Sequence, residues 1–194
     1  MGLILALDLG TSTIKAGLVD ESGTLVGLAA REYALDTPRP GWSQVRDSVV
    51  WQCVQECVRS VTEAHRGGAI EAVGFSSSGH TFVCRDENGA ALYPFITWLD
   101  QRGTAEAEQM MEKFGPLEIY RRTGYPARAP YCPAALLLWL RGNEPDVFDR
   151  IRRVHIVHDD IIWRLTGRAV TDHVLAGTTG YFDIPAGRWW PEML

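Results

Sequence analysis

Cysteine is scarce in this sequence: Cys53, Cys57, Cys84 and Cys132 are the only four among 194 residues. They form no Cys-x-x-Cys, and no nearby pair of histidines completes a tetrahedral set, so neither a zinc site nor a disulfide framework is expected. A reducing, cytoplasmic compartment fits that usage. Long apolar runs are also missing. Residues 1–7 are apolar but lack a basic leader and are broken by Asp8, which argues against a membrane span or signal peptide and for a buried first strand. Ala6, standing where Ser or Thr would be needed, argues against myristoylation. Dense Lys/Arg runs are absent: 19 basic residues stand against 24 acidic ones, a formal charge of -5, so nucleic acid is not an expected partner. There is no internal repeat, low-complexity tract or composition shift that marks a linker. What remains, 46% apolar and 22% charged residues, describes a globular protein of one domain or two small ones. At this length a fold buries about 70% of the surface its unfolded chain exposes, enough to dispense with disulfides.

Local patterning predicts an α/β protein. Leu3 to Asp8, Ile14 to Asp20 and Thr24 to Glu32 are apolar runs separated by turn residues, which reads as a meander of three antiparallel strands. From Asp47, a predicted N-cap, Val49, Val50, Cys53, Val54, Cys57, Val58 and Val61 recur at helical spacing, and the helix is expected to end near Gly67-Gly68. Strands are predicted over Ile70–Ser76, Phe82–Arg85, Leu92–Trp98 and Val154–Val157, with Asp86-Glu87-Asn88-Gly89 as a turn. Beyond Gly103 the pattern is mostly helical.

The most informative stretch is Leu7-Asp8-Leu9-Gly10-Thr11-Ser12-Thr13-Ile14-Lys15, where a carboxylate ends a buried strand and a hydroxyl-rich turn follows. Gly10 permits close backbone approach, and the amides and hydroxyls of Thr11, Ser12 and Thr13 suit phosphate oxygens. Asp8 suits Mg²⁺ held through water. The plain alternative is a hairpin turn whose Asp caps its own backbone. A Walker P-loop is excluded, since Gly-x-x-x-x-Gly-Lys-[Ser/Thr] does not occur.

Further motifs follow in order: Pro40-Gly41-Trp42-Ser43-Gln44, Gly74 to His80, Pro94 to Arg102 with Trp98-Leu99-Asp100-Gln101-Arg102, Leu138-Trp139-Leu140, Arg164-Leu165-Thr166-Gly167 and Thr171-Asp172. As a set covering nearly the whole chain, they resemble the N-terminal portion of the FGGY carbohydrate kinases, the group of xylulokinase, gluconokinase and glycerol kinase. The resemblance implies a ribonuclease-H-like, actin-like ATPase domain over residues 1–194: a mixed sheet, three antiparallel strands first, helices on both faces. It further implies that Asp8 lies at the Mg²⁺-phosphate end, that Gly10, Thr11, Ser12 and Thr13 meet the ATP phosphates, and that Lys15 offsets γ-phosphate charge. Because side chains alternate along a strand, the pattern leaves open whether Lys15 is instead a solvated lysine on the other face.

By the same resemblance the loop Ser76-Ser77-Ser78-Gly79-His80 meets the sugar, with Ser77, Ser78 and His80 as polar partners, Trp98 as an apolar wall and Asp100 shaping the pocket. Glycerol kinases carry an Arg-Glu pair in this loop; its absence argues against glycerol. The bland reading of His80 is a satisfied turn histidine, and that of Arg102 is a partner for its neighbours. His155, His158, Asp159 and Asp160 are read as a strand-to-helix junction, with Asp159 or Asp160 as N-cap, rather than as a metal cluster. Trp189-Trp190 is expected to pack a helix on the core. The family's Gly-Asp base and its second ATPase domain find no match in these residues, so the sequence reads as a truncated part of an ATP-dependent sugar or sugar-acid kinase, cytoplasmic, inactive alone, with a homodimer as an option and no membrane partner. The rival reading is a non-catalytic sugar-binding or scaffold module on the same fold.

Overall fold

The structure, a computed structural model, describes residues 2–66, 68–126 and 129–193. The chain divides into two compact units, residues 1–35 with 45–78, and residues 36–44 with 79–194. In chain order the first elements are β1 (Gly2–Leu9), β2 (Thr13–Asp20), β3 (Leu25–Glu32), the short β4 (Gln44–Val45), α1 (Asp47–Ala64) and β5 (Ala69–Ser77). They are followed by β6 (Phe82–Arg85), β7 (Phe95–Ile96), α2 (Thr104–Phe114), α3 (Pro116–Thr123), α4 (Pro133–Asn143) and α5 (Pro145–Phe148). β8 (Arg153–Ile156), α6 (Val157–Thr166), α7 (His173–Thr178), β9 (Phe182–Asp183) and β10 (Arg188–Trp189) complete the set.

In the first unit the sheet order is β3-β2-β1-β5: the expected antiparallel meander, with β5 added parallel to β1. Period-2 alternation puts Leu3, Leu5, Leu7 and Leu9 on one face of β1, and the register carries Ile14, Ala16 and Leu18 of β2 to the same face. Helix α1 covers that face with Val50, Cys53, Val54, Cys57 and Val61, and the Cys57 thiol donates to the Ile14 carbonyl. Asp47 is not the N-cap. Arg46 takes that place, and Asp47 sits in the first turn, where its charge complements the helix dipole. The helix stops at Ala64, and Gly67 lies outside the described residues. The face opposite α1 carries Ile4, Ala6, Asp8, Lys15 and Leu28, all exposed or half-buried.

In the second unit β6 pairs antiparallel with both β7 and β8, Phe82 opposing Ile96 on one side and Ile156 on the other. The strand expected over Leu92–Trp98 contracts to Phe95–Ile96. Pro94 has no N–H to give a ladder, and the Asp100 amide turns back to the Thr97 carbonyl. Helices α2, α3 and α4 surround a core of Ala107, Met110, Ile119, Cys132, Ala135, Tyr181 and Trp190. Gly103 lets the start of α2 approach this core, since a Cβ there would meet the Pro130 carbonyl oxygen at 2.6 Å. Trp190 packs on Phe114 of α2, whereas Trp189 stands half-exposed on β10.

Helix α6 begins at Val157 with Ile156 as N-cap, so Asp159 and Asp160 lie in its first turn rather than capping it. Asp160 instead ties the helix to the sheet. Its fully buried carboxylate accepts from Arg85 Nε and Nη2, Arg164 Nε and His155 Nδ1, while Arg85 also donates to the Gly89 carbonyl. Burial alone would raise the Asp160 carboxyl, but the hydrogen bonds from His155 and Arg85 outweigh it and hold it well below the usual carboxylate range. Asp160→Ala leaves Arg85 buried and uncompensated, and is expected to lower stability by about 3–5 kcal/mol in denaturant titrations at pH 7. Because the folded carboxyl is depressed, its contribution is complete above the unfolded value of about 4 and fades as pH falls through the folded one. The difference between wild type and variant should therefore shrink in acid, and a constant difference would overturn the assignment.

Candidate functional site

Two clusters gather the residues singled out by the sequence, one in each unit. In the first, β1 and β2 diverge at the turn Gly10–Thr13, closed by the Gly10 amide donating to the Thr13 carbonyl at 3.0 Å. Gly10 is required by space: a Cβ would lie 2.8 Å from the Thr13 carbonyl oxygen. Tyr33 braces the turn from β3's end, its hydroxyl donating to the Gly10 carbonyl at 2.7 Å and its amide to the Ser12 carbonyl at 3.0 Å. Burial pushes that phenol up to about 12, so it remains a neutral donor. Ser12 is exposed, with Thr11 and Thr13 half-buried beside it.

Register settles the face of Lys15. It is the direct antiparallel partner of Asp8, and its Nζ lies 3.1 Å from Asp8 Oδ2, both side chains about half exposed at 50% and 45%. On the other flank of β1, Ser76 and Ser77 of β5 are level with Asp8 and Leu9, and the Ser78 amide donates to the Leu9 carbonyl at 3.0 Å. Ser77 and Ser78 thus adjoin the carboxyl end of β1. The cluster offers one carboxylate, one ammonium and several hydroxyls on an open strand end.

The second cluster is aromatic. His80 is 6% exposed, and its ring stands edge-on to Tyr125 at 4.3 Å and to Tyr131 at 4.9 Å between centroids. Trp98, 42% exposed, stands edge-on to Tyr131 at 6.4 Å between centroids. Among the described residues, His80 Nε2 is buried without a hydrogen-bond partner. Burial lowers the imidazole to about 4, so the ring is neutral at physiological pH, with that nitrogen able to give or take one hydrogen bond according to tautomer. Tyr125 and Tyr131 did not stand out in the sequence; a Tyr-Pro and a Pro-Tyr flanking one loop were the only signal.

Asp100 belongs to the same unit but is presented differently. It is fully buried, accepting from the Ser43 amide, the Arg102 amide and the Arg102 guanidinium. Trp98, Asp100 and Arg102 sit on a turn, not on an alternating strand, so only Trp98 reaches the surface. A cleft of about 740 Å³ lined by Thr104, Ala107, Met111, Pro116, Pro126 and Pro130 holds none of these residues.

The donors present decide what ions and groups would fit. Among the described residues no three His, Cys, Asp or Glu side chains gather into a metal cluster. A single carboxylate beside a hydroxyl-rich turn does fit Mg²⁺, which keeps most of its waters and takes only one or two protein oxygens.

Comparison with known proteins identifies the family of the chain. The chain is 31% identical over 198 residues to a xylulose kinase of Lactococcus lactis, covering all of this chain and 38% of that protein. It is 34% identical over 201 residues to a glycerol kinase of Cereibacter sphaeroides, covering 41% of it. The crystal structure of gluconate kinase from Lactobacillus acidophilus superposes with a TM-score of 0.93 at 29% identity, over all of this chain and 39% of that one. The chain therefore spans about two-fifths of the length of the relatives it matches. Residues 3–194 match the model of the N-terminal domain of the FGGY family of carbohydrate kinases, and the chain belongs to that family.

Proposed function

We propose that this chain supplies the phosphate-side hairpin and the sugar-side pocket of an ATP-dependent carbohydrate kinase, whose acceptor is a ketose or aldonate of five or six carbons rather than glycerol. The observation that carries the substrate side is His80: a neutral imidazole with a nitrogen unpartnered among the described residues, edge-on to two tyrosines and joined through Tyr131 to an exposed tryptophan. Aromatic faces suit the C–H surface of a sugar, and a buried nitrogen that has lost its water gains most from a hydroxyl. The absence of an Arg-Glu pair from the Ser76–His80 segment supports a substrate other than glycerol.

On the phosphate side, Gly10 to Thr13 offer amides and hydroxyls to phosphate oxygens, while Lys15 supplies positive charge near transferred phosphate. Bound Mg²⁺ would neutralise charge on the phosphates, and Asp8 would hold it, most simply through water. Lys15, now paired with Asp8, would then be released toward the phosphate. Asp100 does not serve as the proton acceptor for the attacking hydroxyl, because its oxygens are buried and taken by Arg102 and the Ser43 amide.

Titrating the chain with D-xylulose, D-gluconate and glycerol, followed by ligand-observed NMR, is expected to show binding of one of the first two and little of glycerol. His80→Ala should weaken that binding by about 5- to 150-fold, the equivalent of ~1–3 kcal/mol for a lost hydrogen bond in a closed site. Preference for glycerol, or an unchanged affinity in a folded His80→Ala chain, would overturn the substrate reading.

The depressed His80 gives a pH test. Its ring resonances should stay fixed from pH 8 down to about 5 and move with a midpoint of about 4. The folded state binds fewer protons than the unfolded state between about 4 and 6.5, so this group contributes a loss of stability as pH falls through that window. A midpoint near that of a free imidazole would mean that His80 is solvated.

For the phosphate side, Mg²⁺ added with ADP should shift the amide signals of Gly10 to Lys15 beyond what ADP alone produces. Asp8→Asn should remove the Mg²⁺-dependent part and leave the rest, since the amide keeps the shape and loses the charge. An unaltered Mg²⁺ response would show Asp8 to be only the partner of Lys15, as expected of a sugar-binding module without phosphoryl transfer.

A further inference from the structure

Trp98 is the most exposed member of the aromatic cluster, at 42%, and the backbone on either side of it is tied down by hydrogen bonds. Thr97 accepts from the Asp100 amide through its carbonyl and from the Leu99 amide through Oγ1, so residues 97–100 form a closed turn with Trp98 at its tip. The turn is bolted to the segment Asp36–Gln44: the Thr97 amide donates to the Ser43 carbonyl at 3.0 Å, Thr97 Oγ1 to Ser43 Oγ at 2.7 Å, and the Ser43 amide to Asp100 Oδ2 at 2.6 Å.

Arg102 holds the bolt. Its side chain is wholly buried, with Nε 2.8 Å from Asp100 Oδ1 and Nη2 2.7 Å from Asp100 Oδ2, a two-pronged pairing of planar groups. Nη2 also donates to Gln44 Oε1 and Nη1 to the Tyr93 hydroxyl. The guanidinium lies 3.8 Å from the ring centroid of Trp42, which itself stands edge-on to Trp139 of α4 at 5.1 Å. Burying a full ion pair costs desolvation that apolar side chains of equal volume would avoid, so stability alone is a poor account of it. Its distinctive property is geometric: a planar fork admits one orientation of Asp100, and through Asp100 one orientation of the turn.

We infer that Arg102, acting through Asp100, is a positioning residue for Trp98. It never touches the sugar; it sets where the indole wall stands. The inference rests on Trp98 lining the sugar pocket, as proposed above, and deepens that reading by assigning the two buried charges of the Asp-x-Arg motif to alignment instead of contact.

The test uses the 194-residue chain labelled with 5-fluorotryptophan, each ¹⁹F line being assigned by a single Trp→Phe substitution. In the wild type Trp98 should give one narrow line that moves on adding D-xylulose or D-gluconate. In Arg102→Gln that line should broaden or split, and the apparent Kd for the sugar should rise about tenfold, as expected when a contact surface is displaced by a fraction of an ångström to an ångström. The Trp190 line, from the separate core beside α2, should stay in place and report an intact fold. Arg102→Lys keeps the charge without the fork and should not restore the wild-type Trp98 line. Should Arg102→Gln lose the Trp190 line, the double variant Asp100→Asn with Arg102→Met, which removes both charges together, is read in the same way.

An unchanged Trp98 line and unchanged affinity in a folded variant would overturn the inference, as would full rescue by lysine. If neither sugar moves the wild-type Trp98 line, the pocket reading fails by itself. The comparison of Trp98 line shape between wild type and variant then still decides whether Arg102 positions it.

Discussion

The register of β1 against β2 is the constraint on which the first unit depends. A strand that buries Leu3, Leu5, Leu7 and Leu9 beneath α1 must turn Asp8 to the opposite face, and the antiparallel ladder then delivers Lys15 beside it. Slipping the pairing by one residue would drive the carboxylate into the apolar layer and the leucines into water. Core and chemistry are therefore specified by the same alternation. The tight turn at Gly10 follows from it, because pairing Leu9 with Ile14 leaves only four residues to join the strands, closed by the Gly10 amide on the Thr13 carbonyl.

The second unit solves a different problem, how to fix irregular loops without long strands. Its ladders are short, β7 being only Phe95–Ile96, so backbone pairing alone gives little register. Buried arginine–aspartate pairs replace it. Arg85–Asp160 clamps α6 to the sheet, with Arg164 and His155 sharing the carboxylate. Arg102–Asp100 clamps the Trp98 turn to the segment carrying Trp42 and Ser43. Both guanidiniums also face an indole, Trp163 for Arg85 and Trp42 for Arg102, which provides apolar cover without giving up the electrostatic attraction of the ring.

Membership of the FGGY family and the α/β architecture agree with the motifs from which both were expected, and these motifs are spread along the whole chain. Relatives named for xylulose, gluconate and glycerol share this domain at similar identities, so overall likeness does not choose among acceptors. The choice has to come from the environment of particular side chains. That is why a buried, neutral His80 between two tyrosines carries more weight than the level of identity.

Local sequence determined the meander, α1, the Asp8–Ser12 motif and the family, because each depends on spacing over a few residues: alternation for strands, helical period for Val50 to Val61, a required glycine in a tight turn. It misplaced what depends on distant partners. Asp160 looked like a cap because it precedes a helical run, yet its carboxylate is claimed by Arg85 from a strand 75 residues away. Leu92–Trp98 looked like one strand; Ser43 and Gln44, reaching across more than 50 residues to Asp100 and Arg102, hold its end in a turn that buries those two and presents Trp98. The face of Lys15 was undecidable until β2 paired with β1. The neutrality of His80 arises only from enclosure, with Tyr125 and Tyr131 brought to it from 45 and 51 positions further along the chain. Charge state and exposure are properties of the surroundings, and only the tertiary structure supplies those.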